Sequence, residues 1–338
     1  MSIIADGFSS NKSCQTLSLQ PTNFLKALIS KNNMNDRIYD IIDKTLAGRT
    51  LRNFPLSRLT SFRIGGSADL IAFPTTENEA CAVIKILLEH GIRFMPIGAG
   101  SNLLFSDEGF RGVILSLAKF QDMEIINNNK HEIAIRAAAG VSLPKIVRKF
   151  GQFSALGISK LWGIPGQIGG SIACNAGAFN FNLSNLICEI ELLDANCKKI
   201  VSKIRDLDYG YRNMKLPPNA IVTSALLKGK KGDMKEIRLE LDLAKTKRRT
   251  SQPRGVASAG CIFKNPSPEN PAGAIIERLG FKGTRIGSAE VSEKHANFIV
   301  NLGKAKAQEV INLIDLIRQK ALDREGINLE LEIRIVES

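Results

Sequence analysis

Histidine is scarce in this chain. Only His90, His131 and His295 occur among 338 residues, and none lies near another. The six cysteines, Cys14, Cys81, Cys174, Cys188, Cys197 and Cys261, are scattered and form no Cys-x-x-Cys pair. These shortages argue against a zinc or iron centre. Unpaired thiols of this kind suit a reducing, cytoplasmic setting. No apolar run approaches the roughly 18 residues of a membrane span. The opening "MSIIADGFSSNKSC" lacks the basic start and long apolar stretch of a secretory signal. Aromatic residues make up 6% of the chain, and Lys and Arg form runs only at "KGKKG" (228–232) and "KTKRR" (245–249). A nucleic-acid binder would show more of both, so nucleic acid is not expected as a partner.

What the chain does have is positive charge and apolar bulk. Lys and Arg exceed Asp and Glu by 46 to 33, a net charge of +13, which suits small anionic ligands carrying phosphates or carboxylates. Hydrophobic residues reach 44%, enough for two or three cores at this length. Residues 1–46 read as an extension, weakly helical toward "DRIYDIIDK". From Leu51 the texture changes. "ADLIAFP" (68–74) reads as a strand. "TENEACAVIKILLEHG" (76–91) has helical spacing, a Thr76 cap with Glu79 three residues on, and Gly91 at its end. "RFMPIG" returns as a strand, which completes a β-α-β unit. "RGVILSL" (111–117) and the alternating "HEIAIRAAAG" (131–140) follow as strands, then a helix at "SLPKIVRKFG". Two strands flank "DANCKK" (194–199). A basic helix spans 234–249 and stops near Pro253. A short helix at "GAIIERLG", a strand at "NFIVNLG", a long helix over 304–325 and a closing strand over 328–336 complete an α+β order.

Five stretches could carry chemistry. In "IGAGSN" (97–102), Gly98 and Gly100 let the backbone approach a ligand, and free N–H groups with Ser101 and Asn102 could hold a diphosphate. Leu103 occupies the third glycine of the dinucleotide fingerprint, so a plain tight turn fits equally well. The block "GIPGQIGGSIACNAGAFN" (163–180) holds Gly163, Gly166, Gly169, Gly170 and Gly177, a density that suits neither helix nor strand. It reads as a loop, either merely rich in positive φ or wrapped around a flat or phosphorylated cofactor. "DYGYRNM" (208–214) offers Arg212, able to hold a carboxylate bidentately. In the closing strand Glu330, Glu332 and Arg334 share one face and Leu329, Leu331 and Ile333 the other. Cys261, in "SAGCIFKNP" (258–266), could be core filler, nucleophile, metal ligand or proton donor.

Together "LTSFRIGGSADLIAFP" (59–74), "IGAGSNLLFSDEGFRGVIL" (97–115), "GIPGQIGGSIACNAGAF" (163–179), "YGYR" (209–212), "SAGCIFKNP" (258–266), "KGTRIGSAEVSEKHANFIVN" (282–301) and "LELEIR" (329–334) resemble, in order, the UDP-N-acetylenolpyruvoylglucosamine reductase (MurB) family, in the branch lacking an extra tyrosine-bearing loop. The resemblance runs from about Leu51 to the end. It implies two FAD-binding α+β subdomains of the vanillyl-alcohol-oxidase type, over 47–118 and 119–247, and a C-terminal α+β substrate-binding domain over 248–338. The implied enzyme is an NADPH- and FAD-dependent UDP-N-acetylmuramate dehydrogenase of peptidoglycan precursor synthesis. It would reduce UDP-N-acetylglucosamine enolpyruvate to UDP-N-acetylmuramate. Another FAD-dependent oxidoreductase of the same architecture is the alternative.

Carried over residue by residue, the catalytic arginine falls on Arg212, the carboxylate on Glu332 and the proton donor on Cys261, where the family often has serine. A thiol near its reference pKa of ~8.5 is protonated at neutral pH and more acidic than a serine hydroxyl. Gly98, Gly100, Ser101, Asn102, Gly166, Gly169, Gly170, Asn175 and Gly177 would hold FAD. Lys264, Asn265 and His295 would meet the UDP phosphates.

Overall fold

A computed structural model describes residues 34–338. The chain divides into two compact units, 1–41 and 42–338. Of the first, the described residues 34–41 are helical, within the stretch expected to be so, and the earlier part of the extension lies outside the described residues. The second unit carries everything that follows.

Apolar alternation and buried runs build its two larger sheets. The first runs in the order Thr50–Pro55, Ser67–Ala72, Phe110–Ser116, Phe94–Ile97. Its first pair is antiparallel and the others are parallel. Helix Glu77–Glu89 makes the expected crossover, capped by the Thr76 side chain, which accepts from the Glu79 N–H. It ends through His90 into Gly91 at φ +61°. The later strand Phe110–Ser116 slots between the two strands this crossover joins. The second sheet is antiparallel, in the order Lys199–Lys203, Ile187–Leu193, Ile221–Lys230, Glu132–Ala138, Met123–Asn128. Helix Leu143–Gln152 buries Leu143, Ile146, Val147 and Phe150 in the core built on that sheet. The basic helix expected over 234–249 runs Met234–Ser251, with the Asp233 side chain accepting from the Lys235 and Glu236 N–H groups.

In the last third, helix Ala272–Arg278 and helix Ala307–Glu325 enclose a core with the small sheet Arg285–Ile286, Ala289–Val291, Ile299–Asn301. Gly326, at φ +67°, ends the long helix as expected.

Two segments depart from the sequence reading. The block 163–180 is not all loop, because Ile168–Ala173 is a helix. Glycine weakens a helix, yet here it permits close packing. A Cβ on Gly169 would stand 3.0 Å from the Ala139 Cβ, and one on Gly170 would stand 4.0 Å from the Gly98 Cα. The closing strand is shorter than expected. Only Arg334–Val336 is regular strand, and it pairs in parallel with Leu103–Phe105. The alternation survives upstream of it: Leu329 and Ile333 are buried and Glu330 and Arg334 exposed.

Candidate active site

Arg212 lies in the turn of a tight hairpin in which Tyr209–Gly210 pairs with Asn213–Met214. Its φ of +52° is a left-handed conformation that disfavours side chains by roughly 1–2 kcal/mol. The surroundings hold it there. The buried Asn175 donates from Nδ2 to the Gly210 carbonyl at 2.7 Å and accepts at Oδ1 from the Ser184 N–H at 3.0 Å. The guanidinium itself donates from Nη2 to the Gly177 carbonyl at 2.6 Å and from Nη1 to Asn182 Oδ1 at 3.3 Å. Its Nε donates to Glu332 Oε1 at 2.6 Å, across 120 residues of sequence. Asn175 and Gly177 therefore brace Arg212.

Glu332 stands just before the last strand. Its N–H donates to the Ile262 carbonyl at 2.8 Å, and its own carbonyl accepts from Asn102 Nδ2 at 2.9 Å. The Asn102 side chain, expected at a cofactor, is thus engaged with the main chain of the carboxylate residue. With side chains 15% and 18% exposed, Arg212 and Glu332 form a partly desolvated pair rather than a surface one. Burial raises the Glu332 carboxyl above its usual range, and Arg212 and Lys264 only partly offset this. Burial works against the Arg212 cation, but the Glu332 carboxylate outweighs it and the net shift is upward.

Cys261 follows Gly260, at φ +80°, and bridges to Phe298. Its electrostatic neighbours are Glu332, Arg212 and Arg248. Burial pushes the thiol up to about 12, and the Glu332 carboxylate adds to that effect. The sequence reading left this thiol near its reference value; the structure makes it a weaker acid that stays protonated. The three expected catalytic residues are thus brought together. Cys174 joins their field, with its thiol raised to about 11 by burial.

The two glycine segments also converge. A Cβ on Gly98 would lie 3.7 Å from the Gly170 Cα and 3.6 Å from Gln167 Oε1. One on Gly166, at φ +135°, would face Ser171 Oγ at 3.1 Å and Ser101 Oγ at 3.6 Å. Gly100 packs so tightly that a Cβ would fall 2.2 Å from the Leu59 carbonyl oxygen. The N–H groups of Ala99, Gly100 and Ser101 donate to no acceptor among the described residues. Gln167 Oε1 is buried without a partner. A cavity of about 490 Å³ adjoins this turn, lined by Arg58, Thr60, Ser61 and Arg63 together with Ala99 and Gly255. Unused N–H donors, converging hydroxyls, an orphaned acceptor and nearby arginines fit the diphosphate and hydroxyl groups of a dinucleotide cofactor. Among the described residues no group of three or more His, Cys, Asp or Glu could hold a metal ion.

The remaining candidates are dispersed around the end of helix Ala272–Arg278. Asn265 Oδ1 accepts from the Ala272 N–H at 3.1 Å, and the Asn265 N–H donates to the Tyr211 hydroxyl at 3.4 Å. His295 packs against Gly273 and the Phe298 ring, and its Nδ1 accepts from the Asn297 N–H at 3.2 Å. Burial and the Lys282 charge lower its pKa, which favours the neutral ring. Lys264 Nζ meets Glu330 Oε2 at 3.3 Å.

Arg248 escaped the sequence reading. It lies in the run "KTKRR" (245–249), at the end of the basic helix. Its Nε is buried without a partner, and burial lowers its pKa. Its Cδ stands 3.2 Å from where a Gly163 Cβ would be. No local pattern separates it from Lys247 or Arg249. Gln167 was missed for the same reason, although it stands between glycines that were singled out.

The chain is similar to known proteins over most of its length. The chain matches a family model described as an FAD binding domain over residues 68–201, and one described as the C-terminal domain of UDP-N-acetylenolpyruvoylglucosamine reductase over 252–336. It is 38% identical over 291 residues to the UDP-N-acetylenolpyruvoylglucosamine reductase of Geotalea uraniireducens, covering 86% of this chain and 95% of that one. It is 35% identical to that of Syntrophus aciditrophicus, covering 88% and 96%. The crystal structure of the Thermus caldophilus reductase superposes with a TM-score of 0.73 at 32% identity, covering 85% of this chain and 98% of that one.

Proposed function

The chain belongs to the UDP-N-acetylenolpyruvoylglucosamine reductase family, and on that premise we propose that Arg212, Glu332 and Cys261 carry out the reduction of UDP-N-acetylglucosamine enolpyruvate to UDP-N-acetylmuramate. The protein is an FAD-binding oxidoreductase of peptidoglycan synthesis. The observation that supports the residue assignment is the Arg212–Glu332 pair at 2.6 Å, with the protonated Cys261 in the same electrostatic cluster.

The Gly98–Asn102 turn and the 163–178 segment would hold FAD. Gly98, Gly100, Gly166, Gly169 and Gly170 shape the cradle, with Ser101, Ser171 and Gln167 supplying side-chain contacts. Asn102, Asn175 and Gly177 complete it by fixing the residues on the substrate side. Residues 47–118 and 119–247 are the two halves of that binding part, and 248–338 the substrate-binding domain. Bound FAD would supply the hydride chemistry of the reduction, with NADPH as the source of reducing equivalents and the vinyl carbon of the substrate as the acceptor.

The protein groups manage the charge this creates. Arg212 binds the enolpyruvyl carboxylate and stabilises the enolate that develops beside it. Glu332 meets the opposite oxygen in its protonated form, which its raised pKa favours. Cys261 gives its proton to the adjacent carbon as general acid. The thiol is a weak acid, yet a carbanionic carbon is a far stronger base. Arg248 adds a second cation for the substrate, and its unpartnered Nε is the vacant donor. Lys264, Asn265 and His295 receive the UDP phosphates, the first two directly and His295 as a neutral donor.

The test is anaerobic. Protein whose flavin has been reduced with NADPH is mixed with UDP-N-acetylglucosamine enolpyruvate, and flavin absorbance is followed. Rapid reoxidation is expected. A flavin that NADPH reduces but this substrate leaves reduced would point to another oxidoreductase of the same architecture.

A further inference from the structure

Two thiols outside the reaction lie side by side. Cys81 belongs to helix Glu77–Glu89, and Cys197 to the turn joining Ile187–Leu193 to Lys199–Lys203. They are 116 residues apart, yet Cys81 Sγ lies 3.7 Å from the Cys197 carbonyl oxygen and Cys197 Sγ lies 3.5 Å from the Cys81 carbonyl oxygen. The contact is reciprocal: each side chain reaches the other residue's main chain.

The turn is built to present Cys197. Asp194 Oδ1 accepts from the Asn196 N–H at 2.9 Å and the Lys198 N–H at 2.7 Å, and the Cys197 N–H donates to the Asp194 carbonyl at 2.9 Å. Cys197 takes φ +61°, where glycine or asparagine would sit with less strain. Turn geometry alone therefore does not account for a cysteine there. An ion pair between Lys199 and Glu77 at 3.5 Å fixes the same contact. Both cysteines are partly exposed.

We propose that Cys81 and Cys197 form a reversible disulfide, a covalent modification site that ties helix Glu77–Glu89 to the 187–203 hairpin when the protein meets a small-molecule disulfide such as oxidised glutathione. Cys197, its proton passed to solvent, attacks one sulfur of the oxidant. The oxidant's S–S bond breaks, and one glutathione thiol leaves. Cys81 then loses its proton to water and attacks the Cys197 sulfur of the mixed disulfide, expelling the second glutathione. Two protein thiols are oxidised and one small disulfide is reduced to two thiols, with no other reactant. Burial pushes the Cys81 thiol up to about 12, and the contact with Cys197 adds to it; the exchange balances equally whichever of the two cysteines attacks first. The closed segment contains both 97–102 and 163–178, so the link restrains the chain on both sides of the glycine cradle.

The protein is incubated with oxidised glutathione, quenched by alkylation, digested and mapped by mass spectrometry. The expected result is a joined pair of peptides carrying residues 81 and 197, abolished by dithiothreitol, with an upward shift of the thermal midpoint in the linked protein. In Cys81→Ser, and in Cys197→Gly, which suits the positive φ, the pair is lost and the midpoint no longer responds to the oxidant. Persistent glutathione adducts on Cys81 or Cys197 without the joined pair would overturn the proposal. So would joined pairs to Cys174 or Cys188 as frequent as the 81–197 pair, or a link that leaves the midpoint unmoved.

Discussion

The glycine cradle and the Arg212–Cys261–Glu332 cluster are adjacent but built by opposite means. The cradle is made of main chain from two local stretches. Its shape depends on what is missing, a Cβ at Gly100 or Gly169. The cluster is made of side chains from three distant stretches, and its properties depend on burial and charge. A backbone site is sensitive to added atoms; a side-chain site is sensitive to removed functional groups. Variants should separate the two.

The largest effect is expected at the thiol. Cys261→Ala should leave NADPH reduction of the flavin intact and slow substrate-dependent reoxidation by about 10²–10⁴-fold, while Cys261→Ser keeps much of the activity. Stopped-flow absorbance separates the two half-reactions. An Ala variant that turns over like the parent would remove Cys261 from the proton-donor role.

Next is the cradle. Gly100→Ala places a methyl 2.2 Å from the Leu59 carbonyl at φ +61°. It should destabilise the protein by about 1–3 kcal/mol in urea unfolding, and the purified variant should lose its yellow colour on desalting. Full retention of FAD would break the distinction between the two sites. Removing the Ser101 hydroxyl nearby should matter less. Ser101→Ala is expected to weaken FAD binding by about 0.5–1.5 kcal/mol, the worth of one hydrogen bond, measured by fluorescence titration.

The pH response sharpens the comparison further. The Glu332 carboxyl is raised in the fold, so its contribution to stability is present below its unfolded pKa and is lost as pH rises through the folded one. Glu332→Gln should therefore unfold no more readily than the parent at neutral pH, yet reoxidise slowly. In the parent, kcat/KM should fall as rising pH deprotonates Glu332. Because Cys261 sits at about 12, that alkaline limb should not move in Cys261→Ser. A limb that shifts with the thiol would mean that Cys261, and not Glu332, titrates there.

These differences also explain what could be read from sequence. Helix Glu77–Glu89 was legible to its cap, because Thr76, Glu79 and the apolar spacing are local. The cradle was half legible. Glycine density marked it, but the helix Ile168–Ala173 within it packs closely through Gly169 against Ala139, which no spacing reveals. The cluster was named only through family resemblance. Periodicity left Glu332 on an ordinary polar face, and nothing in 208–214 says that Arg212 meets it across 120 residues. Arg248 stayed hidden because burial of one residue in a basic run is decided by its neighbours in space.

The parallel pairing of Arg334–Val336 with Leu103–Phe105 bears on how the enzyme comes into being. Asn102 waits 230 residues for the main chain of Glu332 that it holds. A chain emerging from the ribosome carries the Gly98–Asn102 turn early, and domains tend to fold from the N-terminal side first. The carboxylate proposed to act in catalysis follows 230 residues later. On the proposed roles, the nascent chain would carry its cofactor turn well before the carboxylate that works beside it, and the pairing of Arg334–Val336 with Leu103–Phe105 would be the step that arms the site.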